Sequence, residues 1–227
     1  MNRCIALFTG GKESVFSILK TIESGYKIEE LLFLEKPGFS VHKANLPAVK
    51  AVAKMLGYEL KILTVSNELL EDKSLINYLK EQKMKGLNAL VTGNVKLEEN
   101  HEIHASLCKK AGLKLVEPLR GKDTLELLIE YSKIGMQFMI IGIRNEELDH
   151  KWLGATISKQ NIEKFLEEVL SKGIDPCGEY GEYHSIVTEL KSLSKSLKST
   201  SIVKGENACT IYLLLLNPQI IKTHDKW

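Results

Sequence analysis

Several classes of protein are excluded by what this chain has little of. Its four cysteines, Cys4, Cys108, Cys177 and Cys209, lie far apart and form no CxxC pair. Neither a zinc site nor a disulfide framework is therefore expected, and reduced thiols in a cytoplasm are. Long apolar runs are missing: the longest, Ile211–Leu216, falls far short of the ~20 residues that cross a bilayer, so no membrane partner is expected. Charge of one sign is not in excess. With 31 Lys and Arg against 29 Asp and Glu the net charge is +2, too small for a field that draws the chain to DNA or a membrane surface. The amino end passes at once into an apolar strand, without the basic, apolar and small-residue segments of a signal peptide. No internal repeat is present.

What is present is an alternation of strand and helix. A chain of 227 residues suits a nucleotide domain of about 150 residues with a smaller appendage. Cys4–Phe8 reads as a buried strand, and Val15, Phe16, Ile18, Leu19 and Ile22 recur at helical spacing after it. Strands are expected at Leu31–Leu34, Leu60–Val65, Ala89–Thr92, Leu113–Val116 and Phe138–Ile141. Helices are expected at Leu46–Leu56, Leu69–Lys85, Glu99–Lys110 and Thr124–Lys133. Pro47 is tolerated in a first helical turn, and Gly57, Gly86 and Gly112 stand where helices stop. Continuous apolar strands separated by amphipathic helices imply an α/β fold, a Rossmann-like (HUP-type) parallel sheet with helices on both faces. After about residue 145 the rhythm breaks, which divides the chain into a nucleotide-binding domain, 1–145, and a smaller C-terminal α+β substrate domain, 146–227. There a helix is expected at Gln160–Leu170, a solvated loop at Lys191–Ser201 and a strand at Ala208–Leu216. That last strand either completes the smaller domain, the preferred reading, or forms the interface of a homo-oligomer.

In such sheets ligands collect at the carboxyl ends of strands. Thr9-Gly10-Gly11-Lys12-Glu13-Ser14, the segment after Leu34, and Thr92-Gly93-Asn94 all fall there. Adjacent glycines let successive N–H groups point at one anion, and the following helix aims its positive end at the same place. Lys12 adds a charge, and Thr9 and Ser14 add hydroxyls. The spacing is not that of the common P-loop, which has four residues between its first glycine and the Gly-Lys pair. TGGKES instead resembles the SGGxDS loop of the N-type ATP pyrophosphatases, which cleave ATP between the α and β phosphates.

Two further segments gather carboxylates and aromatics beside glycines: Glu147–Gly154 and Gly178–His184. Buried carboxylates are costly and rarely gather without a cationic partner, so the pair of segments is read as a second site rather than as two helix-capping turns.

With these segments the chain resembles the diphthine–ammonia ligase family over roughly residues 1–190. TGGKES stands where that family has SGGKDS. His42 with Asn45-Leu46 is similar to its His-x-x-Asn-Leu segment, and Leu148-Asp149 with Trp152-Leu153-Gly154 to its L-D-x-x-W-L-G stretch. Pro118-Leu119 matches a Pro-Leu pair after the fifth strand. Asp175–His184 resembles D-P-C-G-E-G-G-E-[FY]-H, with Tyr180 in place of a glycine. The chain departs after Thr92-Gly93, where the family shows a Ser, a Tyr-Gln pair and two arginines and this chain has Leu97–His104 without an arginine.

The resemblance implies ATP-dependent amidation of diphthine on translation elongation factor 2, with ammonium, through an acyl-adenylate. It implies ATP held by Thr9, Gly10, Gly11, Lys12, Glu13, Ser14, Thr92 and Gly93, and Mg²⁺ with Glu13 as a ligand. Lys12, Glu179 and Glu182 would be catalytic. His42, Asp149, Trp152, Gly178, Glu179, Tyr180, Gly181, Glu182, Tyr183 and His184 would bind the substrate, whose quaternary ammonium calls for aromatic faces and diffuse negative charge. Two alternatives stay open. One is an ATP pyrophosphatase acting on a tRNA or small-molecule acceptor, although no cysteine pair or basic RNA surface is evident. The other is a nucleotide-binding sensor that does not consume ATP.

Overall fold

The computed structural model describes residues 2–144 and 147–223. Along the chain the elements are β1 (Arg3–Leu7), α1 (Lys12–Glu23), β2 (Lys27–Glu35), α2 (Val41–Ala44), α3 (Leu46–Met55), β3 (Leu60–Thr64), α4 (Lys73–Met84), β4 (Ala89–Val91), α5 (Glu98–Ala111), β5 (Lys114–Val116) and α6 (Thr124–Lys133). They continue with β6 (Met136–Arg144), β7 (Thr156–Ile157), α7 (Ile162–Ser171), β8 (Tyr183–Leu190), β9 (Lys195–Lys198), β10 (Ser201–Glu206), β11 (Thr210–Leu216) and β12 (Gln219–Lys222). The chain separates into two compact units. One holds the chain up to Thr9 with Glu13–Gly38 and Tyr58–Gly121; the other holds Gly10–Lys12, Phe39–Gly57 and the chain from Lys122 onward.

The first unit is a five-stranded sheet in the order β3-β2-β1-β4-β5, parallel throughout. Its central strands are short and apolar past Arg3: Cys4, Ile5 and Ala6 have no exposed surface, and Ala89–Val91 is buried too. Such strands need cover on both faces, which is the condition for a parallel sheet. Ile5, Leu32 and Leu90 pack with Leu75 and Leu79 of α4 and with Leu107 and Cys108 of α5. Asp72 starts α4 by accepting the Leu75 amide at 2.9 Å, and Gly112, at φ 70°, ends α5 in the left-handed conformation. Burial pushes the Cys4 thiol up to about 11 and the Cys108 thiol up to about 12. All four cysteines are free, as the sequence implies.

The second unit is built on an antiparallel sheet in the order β10-β11-β6-β8-β9-β12, with β7 on β6. Here the structure corrects the sequence reading. β6 is not a sixth parallel strand: it runs antiparallel to β8 from Met136↔Leu190 to Ile143↔Tyr183. The cause is legible in its first half, where buried Met136 and Phe138 alternate with half-buried Gln137 and Met139, the period of a strand with one covered face. Lys191–Ser201 is not a loop throughout, because it contains β9, with Ser196 and Leu197 buried, and the first residue of β10. The Ala208–Leu216 strand completes the sheet as β11, lying between β10 and β6. The boundary expected at 145/146 falls outside the described residues, while the compact units change over after Gly121.

One side chain stitches this unit together. Asn45 sits between α2 and α3 and is 1% exposed. Its amide donates to the Val41 carbonyl at 2.9 Å and the Leu213 carbonyl at 2.8 Å, and its oxygen accepts the Leu215 amide at 2.9 Å. Asn45 thus donates to one backbone group and accepts from another along one edge of β11, which accounts for an Asn at this place in the sequence. Asn45→Leu would remove the side-chain partner of two buried backbone groups, the Leu213 carbonyl and the Leu215 amide, and should destabilise the protein by about 2–4 kcal/mol. Chemical denaturation measures this, and a loss below about 0.5 kcal/mol would show that the stitch is dispensable.

Candidate functional site

In the first unit β1 and β4 are neighbours, with Ala6 opposite Val91. This is the switch point of the strand order, where loops diverge and leave a crevice. The chain leaves β1 through Thr9, whose amide and hydroxyl both donate toward Ser14 Oγ at 3.4 Å. It leaves β4 through Thr92-Gly93-Asn94. A Cβ on Gly93 would lie 2.9 Å from the carbonyl carbon of Glu13 and 3.0 Å from the Ser14 nitrogen. Only glycine allows the β4 loop to come this close to the amino end of α1. Thr9, Glu13, Ser14, Thr92 and Gly93 are therefore brought together.

That reading missed the residue that organises the same edge. Glu117, directly after β5, has a side chain only 5% exposed. Its carboxylate accepts the Thr92 hydroxyl at 3.1 Å and the Asn94 amide at 3.2 Å, and meets His101 Nδ1 at 2.5 Å. Arg120 Nη1 stands 3.9 Å away. Four donors around one carboxylate make it worth burying, and two of them hold the loop after β4. His101 lies in the stretch where the sequence departs from the pattern with two arginines. The available signal was a lone acid just past a buried strand, immediately before Pro118-Leu119.

In the second unit Lys12 is 2% exposed. Its ammonium donates to the Cys177 carbonyl at 2.7 Å and lies 4.4 Å from the Tyr183 ring centroid and 5.5 Å from that of Phe138. Carbonyl and aromatic faces replace part of the water it has lost. Gly10, at φ +74°, accepts the Val187 amide at 2.9 Å, and the Lys12 amide faces Ser185 Oγ at 3.4 Å. Gly10 and Lys12, both in the second unit, are thus tied to β8 and to the Asp175–His184 run.

The run itself is a loop whose acids bind its own backbone. Asp175 accepts the amide of Cys177 at 2.9 Å, that of Glu179 at 3.5 Å and the Thr124 hydroxyl at 2.9 Å. Glu182, 5% exposed, accepts the amides of Tyr180 at 3.0 Å and Asp175 at 3.5 Å. Tyr183 is buried and donates its hydroxyl to the Pro176 carbonyl at 2.6 Å. Its ring explains Gly178: a Cβ there would stand 2.7 Å from Tyr183 Cδ1. Gly181, at φ +85°, has open space around it. Tyr180 is the aromatic turned to solvent, 58% exposed, and its carbonyl accepts Arg144 Nη1 at 2.9 Å. His184 meets His42 edge-on with ring centroids 5.5 Å apart.

Asp149 and Trp152 sit elsewhere in this unit. Asp149 starts a short 3₁₀ turn at His150–Trp152 by accepting the Lys151 amide at 2.8 Å. Trp152 is buried, with its ring edge-on to Phe165 at 5.0 Å, and Phe165 in turn is edge-on to Tyr183 at 5.5 Å. Trp152 therefore reaches the run through a stack of aromatic contacts, not by sharing an open face with Tyr180.

The first unit offers groups that can hold an anion, and the second offers an acidic-aromatic loop. Two hydroxyls, the amino end of a 12-residue helix and a backbone turn at Gly10 suit the oxygens of a polyphosphate. No group of three or more His, Cys, Asp or Glu side chains converges to hold a metal among the described residues. Glu13 would thus meet Mg²⁺ only together with phosphate oxygens, the usual arrangement for that ion.

Burial, followed by the Lys12 charge, pulls the His184 imidazole down from 6.5 to about 4; burial also lowers His104. As pH falls below 6.5 the unfolded chain takes up protons that the folded one refuses. Stability is therefore lost between pH 6.5 and 4, with about 2 kcal/mol from His184 between pH 7 and pH 5. His184→Asn should flatten that part of a urea-denaturation profile; an unchanged slope in the variant would assign the loss to other groups.

Two family models cover most of the chain: the diphthamide synthase N-terminal domain matches residues 2–115 and the diphthamide synthase C-terminal domain residues 123–210. Among curated proteins, a human protein named diphthine–ammonia ligase is 24% identical over 220 residues, covering 86% of this chain and 82% of its own. A Danio rerio protein of the same name is 22% identical, covering 86% and 85%. One from Schizosaccharomyces pombe is 20% identical, and this chain spans 40% of its length. Among solved structures, a predicted subunit of tRNA methyltransferase from Methanocaldococcus jannaschii aligns at 19% identity with a TM-score of 0.46, covering 84% of this chain and 98% of that one. On the family matches, the chain belongs to the diphthamide synthase family.

Proposed function

We propose that this chain is a ligase that forms a C–N bond, joining ammonia to the carboxylate of diphthine on translation elongation factor 2 with ATP converted to AMP and pyrophosphate. The observation that carries the reading is the meeting of Thr9, Ser14, Thr92 and Gly93 at the adjacent ends of β1 and β4, in a chain whose two halves both match diphthamide synthase domains.

A carboxylate is a poor electrophile, so the reaction needs an activated leaving group. In this reading the substrate carboxylate attacks the α-phosphorus of ATP, the bond to the bridging oxygen breaks, and pyrophosphate leaves from an acyl-adenylate. Ammonia then attacks the acyl carbon and displaces AMP, giving the amide and releasing a proton. The protein's task is to position the partners and to offset charge that develops on the departing oxygens. Thr9, Gly10, Gly11, Ser14 and the amino end of α1 would receive the pyrophosphate, with Thr92 and Gly93 lining the other side of the crevice between β1 and β4. When bound with ATP, Mg²⁺ would neutralise phosphate charge, with Glu13 as its protein ligand.

The rest of the second unit supports acceptor binding. Its loop at 175–184 offers exposed Tyr180 beside half-buried Glu179, an aromatic face and an acid suited to a quaternary ammonium. Lys12 and Glu182, both buried, act here as residues that hold the loop in shape: Lys12 through the Cys177 carbonyl, Glu182 through two backbone amides. His184, which burial holds neutral at physiological pH, packs edge-on against His42 in the same unit.

Elongation factor 2 bearing diphthine, ATP, Mg²⁺ and ammonium should together release AMP and pyrophosphate in amounts matching the amide formed, as read by mass spectrometry of the modified histidine. Ser14→Ala should lower kcat/KM by about 10²-fold. Tyr180→Ala should raise KM for the protein acceptor about tenfold while leaving KM for ATP unchanged. AMP release only with a tRNA or a small-molecule acceptor would move the reading to another substrate, and tight ATP binding without turnover would make the chain a sensor.

A further inference from the structure

The antiparallel sheet carries a second cleft that the ligase reading does not use. It has a volume of about 260 Å³ and is lined by β6, β7, β8, β9, β10 and β11, all within the second unit. The volume lies just below the ~300–1,000 Å³ of pockets for drug-sized ligands, so it suits an occupant of amino-acid size.

A fault in the sheet aims a hydroxyl into this cleft. On β6 and β8, Gln137 pairs with Glu189 but Phe138 pairs with Val187. Thr188 is the extra residue, a bulge of the kind that redirects a side chain. It is 8% exposed, lines the cleft, and its Oγ1 has no hydrogen-bond partner. An unpartnered buried hydroxyl costs stability, so its place beside a cleft points to a ligand that pairs with it.

The neighbouring groups define the ligand. Glu189 stands opposite both Gln137 and Ser196, so these three form one row across three strands. Lys198 is two residues beyond Ser196 and on the same face of β9. Glu189 and Lys198 both line the cleft and make no ion pair among the described residues. One carboxylate and one ammonium are thus offered together with a hydroxyl. Met139, Leu197, Ile202 and Leu215 add an aliphatic part to the wall, beside Thr156 and Ser199. We propose that the cleft binds a free aliphatic amino acid, its ammonium on Glu189, its carboxylate on Lys198 and Thr188, and its side chain on the aliphatic wall. The site belongs to the second unit alone and stands or falls apart from the ligase reading.

Isothermal titration of the full chain with L-leucine tests it, beside leucinamide, which lacks the carboxylate, and N-acetyl-leucine, which lacks the ammonium. Leucine should bind saturably and each blocked analogue about tenfold or more weakly. Lys198→Met should abolish the preference for leucine over leucinamide, and Glu189→Gln that over N-acetyl-leucine. Thr188→Val should weaken leucine about tenfold while its melting temperature stays the same or rises, since no hydrogen bond within the protein is lost. Three results would overturn the proposal: no saturable leucine binding up to about 10 mM, equal binding of all three compounds, or a lowered melting temperature in Thr188→Val.

Discussion

A buried ammonium sets the terms for half of this molecule. Lys12 has almost no access to water, and an uncompensated cation in that position would be expensive. Its compensation comes from the Cys177 carbonyl and from the Tyr183 and Phe138 rings. To present that carbonyl the chain must turn sharply after Pro176. The turn is held by Asp175 and Glu182, whose carboxylates accept its amides, and by Gly178, which makes room for the Tyr183 ring. The acidic, glycine-rich and aromatic character of 175–184 thus has a physical origin in one lysine of the TGGKES loop. Removing either acid would loosen the carbonyl on which Lys12 depends.

The parallel sheet works by a different constraint. Its central strands are short and apolar, and they fix β1 beside β4, so the loops after them must share an edge. Gly93 then lets one loop touch the start of α1, and Glu117 clamps the other side through Thr92 and Asn94. Two hydroxyl-bearing turns and a helix amino end are held in register by burial of carbon at one end and by one satisfied carboxylate at the other.

Much of this was legible in the sequence, for reasons that differ by region. The first unit was readable because its strands are continuous apolar runs bounded by glycine, and a run such as Ala89–Val91 has few other uses. TGGKES and Asp175–His184 stood out because their glycines and acids interrupt the periodicity around them. What the acids do could not be read: Asp175 and Glu182 bind amides of their own loop, and that depends on backbone turns, not on composition. Glu117 was invisible because three of its four donors come from Thr92, Asn94 and His101, all distant from it in the chain. β9 was hidden by its two lysines and its serine, whose polarity suggests a loop even though Ser196 and Leu197 are covered. β6 was assigned to the wrong sheet because Phe138–Ile141 is as apolar as a parallel strand, and only the flanking Gln137 betrays the one-faced pattern.

The distribution of thiols has a practical consequence. Cys4, Cys108 and Cys177 are buried, and for the first two burial holds the sulfur in its protonated, unreactive form. Cys209 alone is exposed, in the turn joining β10 to β11. A maleimide dye offered to the folded protein would therefore settle at a single address, giving an optical reporter on that hairpin with no engineering of the chain.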